Sequence, residues 1–320
     1  MLKIQVYNNK NKIISFTKKY GTIIGFFIIF IIFALLSPNF LTFNNIFHIL
    51  RQISILSCLA IGITIVLATG DFDLSVGNFV ALIGVMLAGF FRMGFSLPIV
   101  IILSLALGLL AGAINGFLVA VIGIPAIIAT LATGSIAQGF TFWFTKGYPI
   151  FEGMTKSYLL IAGGYIYKIP VPVILVTILA IITHFFLNFT KGGRHLYAIG
   201  GNRLAARYAG IKVTRMRIIS YLICAFFAAI GAIILTSRLG SGQPGAGASL
   251  TLEAYAAAFI GCSVIKEGQF HILGTLLGTL ILGTLSNGLT ILNVSYYMQN
   301  IIVGLVLITA VSAYSFQKKD

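Results

Sequence analysis

TKGGRHLYAIGGNRLAARYAGIKVTRMR, residues 190–217, carries seven Lys or Arg and no acid, and it lies between long apolar runs. Elsewhere charge is scarce, since Asp, Glu, Lys and Arg make up 8% of the chain. In a chain that lives in lipid, a basic loop of this length faces the cytoplasm, where Lys and Arg are retained during insertion. The stretch is also built to touch something. Asn202 is placed to cap a short helix and Gly210 to end it, while Leu204, Tyr208 and Ile211 recur at i, i+4 and i+7. Such a helix, lying flat beneath a membrane domain, is a handle for a soluble partner.

The sequence around this loop fits that reading. Of 320 residues 59% are hydrophobic, and the mean hydropathy is +1.05. Many apolar stretches reach the roughly 17–25 residues that a helix needs to cross about 30 Å of hydrocarbon, so the chain reads as an all-α membrane protein. The formal charge of +15 does not point to nucleic acid, because the basic residues flank apolar spans and form no extended face. Cys58, Cys224 and Cys262 sit in apolar runs without metal-ligand spacing and read as inert packing. Five lysines precede residue 20, and an apolar run follows from Gly21 to Leu36. A cleaved signal peptide competes for this pattern. Ser37-Pro38-Asn39 offers no small-residue cleavage site, which favours an uncleaved first span.

Hydropathy places ten spans at 21–36, 48–69, 74–91, 97–121, 126–145, 169–189, 217–236, 251–265, 271–291 and 297–315. The third and eighth are the weakest, being interrupted by small and polar residues. The domain plan is a cytoplasmic basic N-terminus (1–20), a polytopic membrane domain (21–315) holding the loop 190–217, and a cytoplasmic tail (316–320). With both termini inside, 15 of the 21 Lys and Arg fall on the cytoplasmic side. Arg51, Arg92, Lys146, Lys156, Lys168 and Arg238 fall outside. Shifting the count by one span would export the basic loop, which the charge rule disfavours. The outer loop 146–168 holds Tyr148, Tyr158, Tyr165 and Tyr167 just after Trp143, the pattern of an interfacial aromatic belt.

LGLLAGAINGFL (107–118) and LGTLILGTLSNGL (277–289) share a Gly-spaced run ending in Asn-Gly. They lie five spans apart, an odd number, so the copies would run in opposite directions and form two inverted-topology halves. Gly108, Gly112 and Gly116, and likewise Gly274 and Gly278, repeat every four residues and suit close backbone packing.

Thr69-Gly70-Asp71-Phe72-Asp73-Leu74-Ser75-Val76-Gly77 sets two carboxylates in an apolar stretch with the small residues of a broken helix. Ionisable groups at membrane depth are costly and by default functional. A solvated cytoplasmic turn is the competing reading, with Asp73 and Ser75 capping the third span. Asn115, Thr130, Thr133, Gln138 and Asn287 are polar residues within spans, and interhelical hydrogen bonds account for most of such residues. Gln138 is the one chosen as facing a hydrophilic path. The candidate translocation-pathway residues are thus Asp71, Asp73, Ser75, Asn115 and Gln138. Glu253 has Arg238 as a possible partner, and Pro125 directs the chain back into the membrane. HExxH, GxSxG and GxxxxGK[ST] are all missing, and His48, His184, His195 and His271 are scattered. The residues therefore read as neither catalytic nor metal-binding.

At these motifs the chain resembles the membrane permease subunit of bacterial ATP-binding cassette (ABC) importers for monosaccharides, the ribose, xylose and galactose type, a group that includes importers of autoinducer-2. The resemblance runs from about residue 45 to the C-terminus. It is carried by TGDFDLSVG (69–77), NGFLVAVIGIPAIIATLATGSIAQG (115–139), GRHLYAIGGNRLAARYAGIKV (193–213) and LTLEAYAAAFIG (250–261), the last followed by GTLLGTLILGTLSNGL (274–289). It implies about ten transmembrane helices in two inverted halves and a second permease chain, identical or not. A cytoplasmic ABC ATPase would bind 193–213, an extracytoplasmic sugar-binding protein would dock outside, and the location would be the bacterial cytoplasmic (inner) membrane. Gly200, Gly201, Asn202, Arg203, Leu204, Arg207, Tyr208 and Gly210 would form the ATPase-coupling segment. No cofactor is implied on this chain; ATP and Mg would be bound by the ATPase. The sequence departs from the family at Asp71, where Gly is usual, and at 262–269, where a Gly-rich run is usual. An ion-gradient-driven secondary transporter is the alternative reading.

Overall fold

Apolar runs in lipid must satisfy their backbone polar groups internally, and helices do so segment by segment. The computed structural model, which describes residues 24–262, 264 and 268–317, is accordingly almost wholly helical. The basic segment 1–20 and residues 318–320 of the tail lie outside the described residues. The elements run α1 (Ile24–Leu36), α2 (Phe43–Ala68), α3 (Val76–Arg92), α4 (Leu97–Phe117, prolonged by a π-helical turn Leu118–Ile122) and α5 (Ala126–Thr145). Then come α6 (Lys156–Gly163), the short strands β1 (Tyr165–Ile166) and β2 (Ile169–Pro170), α7 (Val171–Phe189), α8 (Lys191–Gly201), α9 (Arg203–Tyr208) and α10 (Val213–Leu239). The chain closes with α11 (Leu250–Cys262), α12 (Ile272–Ile291) and α13 (Tyr296–Gln317).

Among the described residues, α2, α4, α5, α7, α10 and α12 are long and apolar enough to cross a membrane, and α1, α3, α11 and α13 are shorter apolar helices. The two spans weakest in the sequence are α3 and α11, of 17 and 13 residues. Each is entered through non-helical chain, 69–75 and 240–249, while the small and polar residues that interrupt them, such as Gly77, Asn78 and Gly84 or Thr251, Glu253 and Gly261, lie within the helices. The halves α2–α5 and α10–α13 repeat the same packing: α4 lies on α10 as α12 lies on α2, and α5 on α3 as α13 on α11. Helices α2 and α10 cross at the centre, where both are largely buried.

The Gly-spaced faces are the seams of this arrangement. A Cβ on Gly112 would lie 2.6 Å from the Tyr221 carbonyl oxygen, and one on Gly278 only 2.0 Å from that of Ala257. Lipid gives no hydrophobic drive to helix association, so backbone approach of this kind carries the packing. Replacing Gly112 by Leu should therefore destabilise the fold by about 1–3 kcal/mol, the usual cost of overpacking. Thermal unfolding in detergent measures it, with an exposed site such as Gly139→Leu as the neutral control.

Three details differ from the sequence reading. The loop 146–168 is not simply an aromatic belt, because Tyr158 is fully buried on α6 and donates its hydroxyl to the Ile233 carbonyl at 2.9 Å. Tyr148, Tyr165, Tyr167 and Trp143 do remain exposed. Arg238 sits in the last turn of α10, not in a loop, and no ion pair joins it to Glu253 among the described residues. It lines a recess of about 510 Å³ together with Arg51 and His48. The basic stretch is also more helical than expected. Thr190 accepts the Gly193 N–H and starts α8, extended Asn202 (φ −157°) ends it, and α10 begins already at Val213.

Candidate functional site

The C-terminal end of α2, the N-terminal ends of α10 and α3, and the basic stretch meet at one place. Gly70 (φ +73°) turns the chain back after α2, which only a residue without Cβ does cheaply. Gly200, at the end of α8, lies so close to α2 that a Cβ there would be 2.2 Å from the Ala68 carbonyl oxygen; Gly201 faces open space. The half-buried Tyr197, its hydroxyl donating to the Phe270 carbonyl at 2.8 Å, fixes the other side of α8. Burial pushes that phenol up to about 12, so it remains a neutral donor.

Asp71 is 3% exposed and holds two guanidinium groups. Arg217, from α10, donates from Nε to Oδ2 at 2.7 Å and from Nη2 to Oδ1 at 3.0 Å. Arg203, the first residue of α9, donates from Nη2 to Oδ1 at 2.5 Å and reaches the Gly70 carbonyl at 3.4 Å. The acid is neither free in a solvated turn nor open to a cavity.

Two residues on, Asp73 is fully buried within a different network. Its Oδ1 accepts the Ser75 backbone N–H at 3.1 Å, the Ser75 hydroxyl, and the Asn115 side-chain amide at 3.3 Å. Asn115 also donates to Ser75 Oγ at 2.8 Å and accepts from Thr133 Oγ1 at 2.7 Å. The Asp73 backbone N–H donates to the Tyr255 hydroxyl at 2.7 Å, and the Leu74 N–H to Thr130 Oγ1 at 3.1 Å. Phe72 stacks on Tyr255 at 6.0 Å, and its carbonyl accepts from the Tyr221 hydroxyl at 3.0 Å. A buried polar group is tolerable only when bonded, and this set bonds nearly all of its members to one another. Ser75 takes the N-cap position of α3 without a side-chain cap bond. The cap comes from elsewhere: Gly77 N–H donates to Thr251 Oγ1 at 2.9 Å, which ties the start of α3 to the first turn of α11.

The structure thus brings Asp73, Ser75 and Asn115 together, sets Asp71 with the basic stretch, and leaves Gln138 apart on the exposed face of α5. Thr130 and Thr133 make the expected hydrogen bonds between elements. Tyr221, Tyr255, Thr251 and Arg217 were missed. The available signal was chemical: a Tyr hydroxyl or a guanidinium within an apolar run needs a partner somewhere.

The short helix α9 is capped and ended where its sequence implies. Asn202 Oδ1 accepts the Ala205 N–H at 3.0 Å and starts α9, and Gly210 (φ +80°) ends it. Ala206 faces inward, while Leu204 and Tyr208 are 67% and 89% exposed. Arg203, Arg207, Lys212, Arg215 and Arg217 surround an adjoining recess of about 710 Å³. An apolar pair projecting from a basic rim suits a groove in a partner that is itself rimmed by acids.

Comparison with known proteins gives a consistent picture. Residues 45–311 match the family described as branched-chain amino acid transport system / permease component. The chain is 40% identical over 295 residues to the ribose import permease protein RbsC of Bacillus subtilis (strain 168), covering 92% of each chain. It is 38% identical to the protein of the same name from Escherichia coli (strain K12), covering 91% of each. With the L-arabinose transport system permease protein AraH of Escherichia coli (strain K12) it shares 37% over 302 residues, 94% of this chain and 92% of that one. No solved structure matches.

Proposed function

The chain belongs to the family of transport-system permease components, and from that premise we propose that it is the membrane subunit through which an ABC importer brings a pentose or similar sugar into a bacterial cytoplasm. The family description names branched-chain amino acids, whereas the relatives covering nearly the whole chain are named for ribose and arabinose; the latter match supports a sugar. The observation that carries the coupling part of the proposal is α9, an anchored helix with an exposed Leu204–Tyr208 pair in a basic setting. ATP would be bound and hydrolysed by a separate ATPase docked there. Gly200 sets the distance between α8 and α2, Asn202 and Gly210 set the length of α9, Arg207 presents charge to the partner's acids, and Arg203 turns in to Asp71.

Solute would cross between two permease copies. Gln138 stands on the exposed face of α5, and a polar amide on a spanning helix is costly against hydrocarbon. A second copy covering this face, with a hydrophilic path along it, removes that cost. An extracytoplasmic binding protein would deliver the sugar, and the basic stretch sets the orientation with α9 inside. The relatives lend no support to the ion-gradient alternative.

The two mechanisms separate in membrane vesicles. Radiolabelled ribose should accumulate with ATP supplied and the proton and sodium gradients collapsed. Accumulation from a gradient alone, in vesicles stripped of ATP, would refute the ABC reading.

A further inference from the structure

We propose that Asp71 is a positioning residue, a latch that fastens the handle helix to the segment 70–75 so that a displacement of α9 reaches the core of the membrane domain. The proposal rests on the coupling role given to α9 above and assigns the element that receives the movement.

The chain has six acidic residues, and the basic stretch 190–217 contains none of them. Asp71 supplies the counter-charge from a different part of the sequence, and both of its oxygens are engaged. Its two partners differ in standing. Arg217 is 13% exposed and grips the carboxylate through two nitrogens from the packed helix α10, so it forms the fixed side. Arg203 is 44% exposed, reaches in through a single nitrogen and belongs to a helix of six residues lying on the surface, so it forms the moving side. Arg203 also contacts the Gly70 carbonyl, which couples it to the backbone of the segment. The residues after Asp71 leave little slack. Phe72 is held by Tyr221 and Tyr255, Asp73 by Ser75, Asn115 and Tyr255, and Leu74 by Thr130. A pull on Asp71 is therefore transmitted along the chain to side chains from α4, α5, α10 and α11. Asp71 thus belongs with the coupling residues and is not itself a contact for solute.

The test uses the full chain in nanodiscs and in proteoliposomes, with the ATPase that co-purifies with the wild-type protein. In Asp71→Asn, amide exchange at 203–210 should rise at least tenfold while α12 is unchanged. ATPase association should remain within twofold of wild type, and radiolabelled ribose moved per ATP hydrolysed should fall at least tenfold. Asp71→Glu, which keeps the charge, should recover at least half of that ratio. A residue that only supported the fold would lower stability and ATPase association together and would leave the transport ratio alone. Wild-type exchange and a wild-type ratio in Asp71→Asn overturn the latch. Should Asp71→Asn fail to insert, Arg203→Gln decides on the same two readouts. Leu204→Asp separates the two levels of the argument. If it abolishes transport while Asp71→Asn does not, the latch alone fails; if it too transports normally, the coupling role of α9 fails.

Discussion

Replacing Leu204 and Tyr208 together by Asp should lower sugar uptake at least 100-fold while the chain still inserts and accumulates at wild-type levels. Both side chains project from α9 into solvent, at 67% and 89% exposure, so neither contributes to the packed core. Their removal from an interface is another matter. Aromatic and aliphatic anchors that fill a partner's pocket carry about 2 kcal/mol or more each. Here the substitution also sets two carboxylates where the proposed groove expects apolar surface. Uptake of radiolabelled ribose, read beside immunoblots of the membrane fraction, checks the result. Ala substitutions at both positions should give an intermediate loss. Full uptake by the Asp variant would show that α9 contacts no partner needed for transport.

The second large effect concerns Asp73, and it falls on stability. Asp73→Ala leaves the Ser75 N–H, the Ser75 hydroxyl and the Asn115 amide without their shared acceptor inside a closed core. Each buried donor stranded in this way costs about 1–3 kcal/mol, although Ser75 and Asn115 still bond to each other. The variant should lose much of its marginal stability and accumulate poorly. Asp73→Asn keeps an oxygen in place of Oδ1 and should stay within about 1 kcal/mol of wild type. Unfolding temperatures in one detergent, measured for both variants, separate these outcomes. Equal losses would mean that the negative charge, and not the acceptor geometry, is what the site requires.

What could be read from the sequence was local or periodic. Asn202 and Gly210 mark the ends of α9 because capping acts over three or four residues. The long apolar runs reveal α2, α4, α10 and α12, and the two Asn-Gly motifs fall in α4 and α12, the corresponding helices of the two similarly packed halves. In the fold, Asn115 bonds Thr133 at 2.7 Å, and Asn287 exchanges bonds of 2.9 and 3.0 Å with Asn45. Contacts across the fold were not legible. Asp71 and Arg217 are 146 positions apart, and no periodicity links them. Proximity in sequence misled at Arg238 and Glu253, which lie on separate helices facing different neighbours. Tyr158 read as a belt residue because its composition suits an interface, yet a short helix carries it inward. The third and eighth spans read weakly because Gly77, Asn78 and Gly84 in α3 and Thr251, Glu253 and Gly261 in α11 lower an average over helices that are themselves short.

At 27 residues, α10 is about 40 Å long. Its N-terminal end bears Arg217 and its C-terminal end Arg238, and in between it is wedged among α2, α3 and α4. A tilt of about 5° about one end of such a lever swings the other through roughly 3 Å, as that length requires. The two ends of α10 are therefore mechanically joined by one continuous beam.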